Sequence, residues 1–197
     1  MSGQIILVRH GRTALNAQGR MQGRLDEPLD EVGLRQAAAL GTYLLAELGS
    51  DDLIVSSPLQ RAQRTAAAIA NGREVRVDER WIELAYGEFD GRLQSDIPAD
   101  TWNRWRSDDT FAPPGGESLV EVATRVVDAC EHWRREAAGR RVVIVSHVSP
   151  IKAAIVWALG ADTSLSWRMR LDTAAVSRLA VAADTTSLTS FNETHHL

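Results

Sequence analysis

The chain has 197 residues, 44% hydrophobic and 24% charged, which is typical of one globular domain with a full hydrophobic core. A net charge of −4 argues against a nucleic-acid partner, which usually selects a basic surplus. The first apolar run stops at Arg9, and no run approaches the ~18 residues of a membrane helix, so we expect neither a signal peptide nor a membrane partner. Cys130 is the only cysteine, which fits a reducing compartment, and we predict a cytoplasmic protein.

Short β-branched runs alternate with longer amphipathic stretches, the pattern of βαβ units around a mostly parallel sheet. The predicted order is strand 4–8, helix 34–48, strand 53–55, a helix to about residue 70, helix 117–138, strand 141–145 and helix 150–159. Two further strands, 174–181 and 187–191, are predicted to meet at a turn at Asp184-Thr185. We therefore predict a single three-layer α/β/α domain over residues 1–197, with a mostly parallel central sheet and an antiparallel edge strand.

Two helix starts carry recognisable capping signals. Ser57 with Pro58, and Ser149 with Pro150, each place a hydroxyl side chain ahead of a proline that suits the first helical turn. Both serines are therefore predicted to be N-caps.

The segment between Gly91 and Gly115 is the least regular part of the chain, and we predict a short helix plus a loop there. It contains Trp102 and Trp105, which allow two interpretations. The tryptophans either cover one end of the core or overhang a pocket and help to select a substrate.

Three predicted strands lead into residues that suit chemistry. The first ends in Arg9-His10-Gly11, the second leads to Arg61, and the third ends in Ser146-His147. Ligands of an open parallel sheet collect at the carboxyl ends of its strands, so these side chains are expected to share one pocket.

Two imidazoles and two guanidiniums point to phosphoryl transfer. Arginine binds phosphate oxygens in bidentate fashion and keeps its charge, and a neutral imidazole is a competent nucleophile. Nearby arginines also favour the neutral form of His10, because a cation disfavours imidazolium. Gly11 is expected to let the backbone approach the substrate closely.

Five ordered blocks give this pattern a family resemblance. Residues 7–16 read LVRHGRTALN and resemble the RHG-x-T-x-x-N signature of the histidine phosphatase (phosphoglycerate mutase-like) superfamily. The later blocks read SSPLQRAQRTA over 56–66, ELAYGEFDG over 83–91, GGES over 115–118 and VSH over 145–147, and Gln22-Gly23, Asp26, Pro28-Leu29, Gly33 and Gln36-Ala37 lie between the first two. The resemblance spans residues 4–160 and implies a phosphatase.

The resemblance assigns roles to particular residues. His10 would be the phosphorylated nucleophile, and Arg9, Arg61 and His147 would complete the phosphate pocket. Glu83 would be the general acid, because a leaving oxygen needs a proton and a carboxyl beside a phosphate dianion can hold one. Glu88 occupies the place of a second, less critical acid.

Further positions are expected to contact the substrate. The resemblance implies substrate-binding roles for Asn16, Gln22 and Gly23. Many relatives have His-Gly after the last strand, whereas this chain has Val148, whose N–H is still expected to reach a phosphate oxygen while its side chain points away. Lys152 allows two interpretations, a solvated surface lysine or a cation at the pocket mouth.

These residues predict a metal-independent phosphomonoesterase that needs no cofactor and acts on a small phosphorylated metabolite. A cofactor-dependent phosphoglycerate mutase and an inactive phospho-ligand binding module are the alternatives. Metal-dependent hydrolysis through His10 and His147 would leave the arginines unexplained, so no metal ligands are predicted. The natural substrate and the oligomeric state stay open, a homodimer included.

Overall fold

A computed structural model describes residues 3–182 and 185–197 of the chain. Within these residues six strands form one sheet in the order β3-β2-β4-β1-β5-β6. The strands are β1 (Gly3–Arg9), β2 (Leu53–Ser56), β3 (Arg76–Val77), β4 (Arg141–Ser146), β5 (Val176–Val181) and β6 (Thr186–Glu193).

Six α-helices and four short 3-10 helices accompany this sheet in the described part of the chain. The α-helices are α1 (Ala14–Ala17), α2 (Glu31–Leu45), α3 (Gln60–Ala70), α4 (Ala99–Ser107), α5 (Leu119–Glu136) and α6 (Val148–Leu159). No helix among the described residues is long and apolar enough to cross a lipid bilayer.

The central strands are apolar on both faces, which is why helices cover the sheet on both sides. On one face, Ile6 and Val8 of β1 pack with Leu40 of α2 and Ile69 of α3. On the other face, the core includes Leu7 of β1 and buried residues of α5 and α6. The predicted three-layer α/β/α fold is confirmed.

The sheet is parallel at its centre and antiparallel at one edge. Strands β3, β2, β4 and β1 pair in parallel, whereas β5 runs antiparallel to both β1 and β6. The predicted antiparallel edge is confirmed, and it is a pair of strands. The turn expected at Asp184-Thr185 includes Asp184, which lies outside the described residues.

Two helices begin where a capping side chain places them, close to the predicted starts. Helix α2 begins at Glu31, three residues earlier than periodicity indicated, because the Asp30 side chain accepts the N–H of Gly33 at 2.8 Å. Helix α5 begins at Leu119, behind a capping box formed by Ser118 and Glu121.

The two predicted serine caps are wrong. Helix α3 begins at Gln60, after Leu59, and has no side-chain cap. Helix α6 begins at Val148, so Ser149 lies inside its first turn, and His147 occupies the cap position without a hydrogen bond from its side chain to a helix amide. At α6 the N–H groups of Val148 and Ser149 donate to Glu83, and at α3 the N–H of Gln60 donates to Asp26.

Candidate active site

Parallel pairing of β1 with β4 brings the two predicted histidines together. Arg9 lies opposite Ser146 in the register, and the backbone N–H of His10 donates to the carbonyl of Ser146 at 3.0 Å. The rings of His10 and His147, the residues that follow the two strands, lie with their centroids 5.0 Å apart. Both side chains are buried.

Arg61, from the first turn of α3, lies between the two rings and is 0% exposed. Its Nε–H is shared between Nε2 of His10 at 3.3 Å and Nδ1 of His147 at 3.2 Å. Its two Nη groups donate to the carbonyls of Leu25 and Gly23, each at 2.7 Å. The guanidinium is therefore fixed in orientation by four acceptors.

These hydrogen bonds determine the tautomer of each imidazole. Arginine only donates, so the ring nitrogen that faces Arg61 must carry a lone pair. Nδ1 of His10 then carries the proton and donates to the carbonyl of Gly11 at 2.7 Å. Nε2 of His10 is therefore unprotonated, and its lone pair accepts from Arg61.

His147 has the opposite tautomer for the same reason. Its Nδ1 accepts from Arg61, and its Nε2–H donates to Oγ of Ser57 at 2.7 Å. The Ser57 hydroxyl also accepts the N–H of Leu59 at 3.3 Å. Ser57 therefore orients a pocket histidine, which explains why it does not cap α3.

Burial and the neighbouring guanidiniums keep both imidazoles neutral. The pKa of His10 is well below its usual value, first because burial disfavours the cation and then because Arg61 and Arg9 repel it. The pKa of His147 is lowered by the same causes, with His10 contributing. Burial also lowers the pKa of Arg61 to about 10, at which the guanidinium stays charged at neutral pH. The structure thus supports the neutral His10 expected from the sequence.

Arg9 contributes a second guanidinium to the same pocket. One Nη group donates to the carbonyl of Leu171 at 2.7 Å, whereas its Nε is buried without an acceptor among the described residues. An unsatisfied buried donor is costly, and a bound anion would satisfy it.

Glu83 is 3% exposed and lies at the N-terminus of α6. Its Oε1 accepts the N–H groups of Leu84 at 2.8 Å and Ser149 at 3.1 Å, and its Oε2 accepts that of Val148 at 3.0 Å. These bonds satisfy free amides of the helix start and place a carboxyl group at the positive end of the helix dipole. The N–H of Val148, expected to contact phosphate, instead donates to Glu83. The carboxyl of Glu88, in contrast, is exposed.

The loop after β1 places Gln22 beside the same strand end. Oε1 of Gln22 accepts from Thr13 Oγ1 at 2.6 Å and from Asn16 Nδ2 at 3.3 Å. Its Nε2 is buried and has no acceptor among the described residues. Gln22 therefore has a free donor, whereas the Asn16 side chain is used in the capping box of α1.

Gly23 supports Arg61 through its backbone. Its carbonyl accepts from Arg61, and its N–H donates to Asp90 Oδ1 at 2.6 Å. A Cβ at Gly23 would lie 2.5 Å from the carbonyl oxygen of Leu84, so no larger residue fits.

The structure shows a steric reason for glycine at position 11, whereas its expected approach to the substrate stays a prediction. A Cβ at Gly11 would lie 2.5 Å from the carbonyl oxygen of Gly33, so α2 packs against it. Its N–H donates to Oγ1 of Thr65 at 3.1 Å, and that hydroxyl donates to the carbonyl of Arg61 at 2.8 Å. The glycine is required by the contact between β1 and the two helices on that face.

A cavity of about 180 Å³ lies beside Glu83. Val148 and Ser149, whose N–H groups donate to Glu83, also line this cavity. Trp102, Trp105 and Lys152 line it. Trp105 also belongs to the core, which confirms the first interpretation of the tryptophans, whereas a role in substrate selection stays a prediction. Lys152 is half-buried in the cavity wall, which favours the interpretation of a cation at the pocket over that of a solvated surface lysine.

Sequence reasoning missed three residues that hold the pocket together, namely Ser57, Thr65 and Asp90. Ser57 and Thr65 lie inside the second sequence block and Asp90 inside the third, so block membership was the available signal. Their partners are far away in the chain, and no local pattern indicates such contacts.

The chain matches the model of the histidine phosphatase superfamily (branch 1) over residues 5–194. It belongs to this superfamily, and the resemblance carried by the five blocks is confirmed.

Two relatives cover most of the chain. Phosphoserine phosphatase 1 of Hydrogenobacter thermophilus is 35% identical over 201 residues, covering 98% of this chain and 94% of that protein. Glucosyl-3-phosphoglycerate phosphatase of Mycobacterium tuberculosis is 37% identical over 187 residues, covering 83% of each. Among solved structures, a phosphoserine phosphatase of Entamoeba histolytica in complex with phosphoserine superposes with a TM-score of 0.90, at 27% identity and 98% coverage of both chains.

Other relatives are longer than this chain. A protein of Mycobacterium tuberculosis described as bifunctional is 38% identical over 200 residues, which cover 98% of this chain and 55% of that protein. The chain spans about half the length of such relatives.

The buried histidines predict a pH-dependent stability. Because the pKa of His10 and of His147 is lowered by folding, the unfolded chain binds protons that the folded chain excludes. Above about pH 6.5 both histidines are neutral in the folded and in the unfolded chain, so they do not make the free energy of unfolding depend on pH. As the pH drops below that value, the unfolded chain takes up protons and the free energy of unfolding falls. In His10→Asn and His147→Asn, we expect this slope to decrease by about 1.4 kcal/mol per pH unit for each histidine removed.

Urea denaturation between pH 5 and pH 8 measures this slope. Above pH 7 the wild type and both variants should show the same flat dependence, which serves as the internal control. A slope unchanged from the wild type in both variants would mean that neither histidine is neutral in the folded protein.

Proposed function

We propose that this chain hydrolyses small phosphate monoesters, with His10 as the nucleophile and water as the final acceptor. The observation that carries the proposal is the neutral imidazole of His10, whose Nε2 lone pair is held against the buried guanidinium of Arg61. The names of the similar proteins support a phosphatase, since they act on phosphoserine and on glucosyl-3-phosphoglycerate. The substrate class is a small phosphorylated metabolite.

In the first step Nε2 of His10 attacks phosphorus, forming the N–P bond as the ester P–O bond breaks. Charge on the transferring phosphoryl oxygens is stabilised by Arg9 and Arg61, whose positions are fixed before the substrate arrives. His147 supports this step indirectly, because its Nδ1 accepts from Arg61 and helps to hold the guanidinium in place.

Glu83 handles the proton that the leaving oxygen requires. In the protonated form it gives this proton to the ester oxygen as the P–O bond breaks, and the alcohol leaves. A water then attacks the phosphohistidine, its proton returns to the Glu83 carboxylate, and inorganic phosphate leaves. Glu83 ends the cycle in the protonation state in which it began.

Gln22 is proposed to bind a phosphoryl oxygen through its Nε2 group, since this buried donor has no acceptor in the described residues. Asn16 and Gly23 act in this proposal by positioning Gln22 and Arg61. Val148 acts by holding Glu83 through its N–H.

The phosphoryl chemistry proposed here uses groups of the chain itself and assigns no step to a metal or a cofactor. Among the described residues, no group of three or more His, Cys, Asp or Glu side chains is arranged to hold a metal ion. Water is proposed as the acceptor because only the 23 residues from Arg92 to Pro114 separate the third sequence block from the fourth. Closing a site against water requires a cover that protects the intermediate, and this segment is short.

His10 should form an acid-labile, base-stable phosphoprotein when the enzyme is quenched rapidly with a labelled phosphate ester. His10→Ala removes the nucleophile, so labelling should vanish and turnover should fall roughly 10³-fold or more. His132→Ala, a change in a half-buried histidine of α5, serves as the matched control and should label normally. Turnover of His10→Ala close to that of wild type would rule out the intermediate.

Glu83→Gln should slow alkyl phosphates much more than p-nitrophenyl phosphate, because nitrophenolate leaves without a proton. Steady-state kcat for both substrates gives the leaving-group dependence of each variant. Glu88→Gln is the matched control, since its carboxyl is exposed, and it should show no such dependence. The reverse pattern would assign the acid to Glu88.

A turnover screen across phosphorylated metabolites with EDTA present tests the reaction class. We expect hydrolysis to continue at an unchanged rate, because every proposed step uses side chains of the chain. Loss of activity that Zn²⁺ or Mg²⁺ restores would support the metal-dependent alternative. With 3-phosphoglycerate and a trace of 2,3-bisphosphoglycerate, formation of the 2-isomer faster than free phosphate would identify a mutase.

A further inference from the structure

Lys152 is the only lysine of the chain and lies in the wall of the cavity beside Glu83. It is half-buried, and its ammonium forms no hydrogen bond or ion pair within residues 3–182 and 185–197. Burial lowers its pKa, while the nearby Glu83 charge raises it. A partly desolvated cation without a partner is unfavourable, and a bound anion would relieve that cost.

Four other residues that line the cavity are aromatic, namely Tyr86, Trp102, Trp105 and Trp167. The rings of Trp102 and Trp105 stack with centroids 5.6 Å apart, and Trp167 meets both edge-on at 6.3 and 6.1 Å. Tyr86 contacts Trp105 edge-on at 5.7 Å. Such a mutually packed cluster forms a rigid apolar wall, and among the residues that line the cavity Lys152 alone is charged.

The cavity continues directly from the proposed reaction centre. Val148 donates its N–H to Glu83 and also lines the cavity, and Lys152 follows it by four residues in α6. Residues four apart share a helix face and are separated by about 6 Å along the axis. A phosphate ester whose leaving oxygen meets Glu83 would therefore extend along the first turn of α6 towards Lys152.

We propose that this cavity binds the alcohol part of the substrate and that Lys152 binds a carboxylate on it. The preferred substrates are thus phosphate esters of hydroxy acids or hydroxy amino acids rather than of neutral alcohols. The inference rests on the proposed phosphatase function and names its substrate class.

The chemistry of the cavity favours a carboxylate over other groups. A neutral hydroxyl would not offset the Lys152 charge, and a second phosphate is better matched by arginine forks, which this cavity lacks among its lining residues. A single ammonium can satisfy one carboxylate, and the tryptophans contact the carbon skeleton between the two anionic groups.

Paired substrates test the inference. Phosphoserine is compared with phosphoethanolamine, and 3-phosphoglycerate with glycerol 3-phosphate, since each second member lacks the carboxylate. In the wild type we expect kcat/KM to favour the carboxylate ester by about 10- to 100-fold, the range of a hydrogen bond to a charged group. Lys152→Met, which keeps the length but not the charge, should bring this ratio close to one, mainly by raising KM for the carboxylate esters.

Lys152→Gln is a second neutral variant. A folding defect would lower kcat/KM for both substrates of a pair by the same factor and would leave their ratio unchanged. Arg35→Met, on the exposed face of α2, is the matched control and should retain the wild-type ratio. A wild-type ratio near one, or a ratio retained in both Lys152 variants, overturns the carboxylate subsite alone. Failure to hydrolyse any ester, p-nitrophenyl phosphate included, overturns the proposed function and the subsite with it.

Discussion

The guanidinium of Arg61 is buried completely, yet its hydrogen-bond partners among the described residues are two neutral ring nitrogens and two backbone carbonyls. No carboxylate in the described part of the chain pairs with it directly, and the charges of Glu83, Asp26 and Asp90 act from a distance. A buried cation with incomplete compensation is unfavourable in the empty protein. A bound phosphate dianion would supply the missing negative charge. The incomplete compensation of buried Arg61 therefore favours binding of that anion.

The tautomers of the two histidines follow from the same guanidinium. Because Arg61 can only donate, the ring nitrogens that face it must be unprotonated, and Gly11 and Ser57 take the remaining protons. The nucleophile therefore needs no separate base, since its lone pair is available before the substrate binds. Arg61 in turn depends on Gly23, whose N–H is bound by Asp90.

The helix starts show how the pocket overrides local rules. Ser57 and Ser149 precede or begin helices and have the usual capping chemistry, yet neither caps. Ser57 is used to orient His147, and the amides at the start of α6 are satisfied by Glu83, a residue 65 positions away from Val148. In contrast, the caps at Ser118 and Asp30, outside the pocket, follow local chemistry.

The sequence by itself determined the α/β class, the parallel centre of the sheet, the family and the two histidines and two arginines that meet at the strand ends, because these depend on periodic apolar patterns and on blocks of adjacent residues. Only the tertiary structure decided how Arg61 joins His10 to His147, what Gly11 contacts, which group binds the Val148 N–H and that Lys152 lies in an aromatic cavity. Each of these depends on pairs of residues far apart in the chain. Their meeting is set by strand register and helix packing, and no local pattern in the sequence encodes those distances.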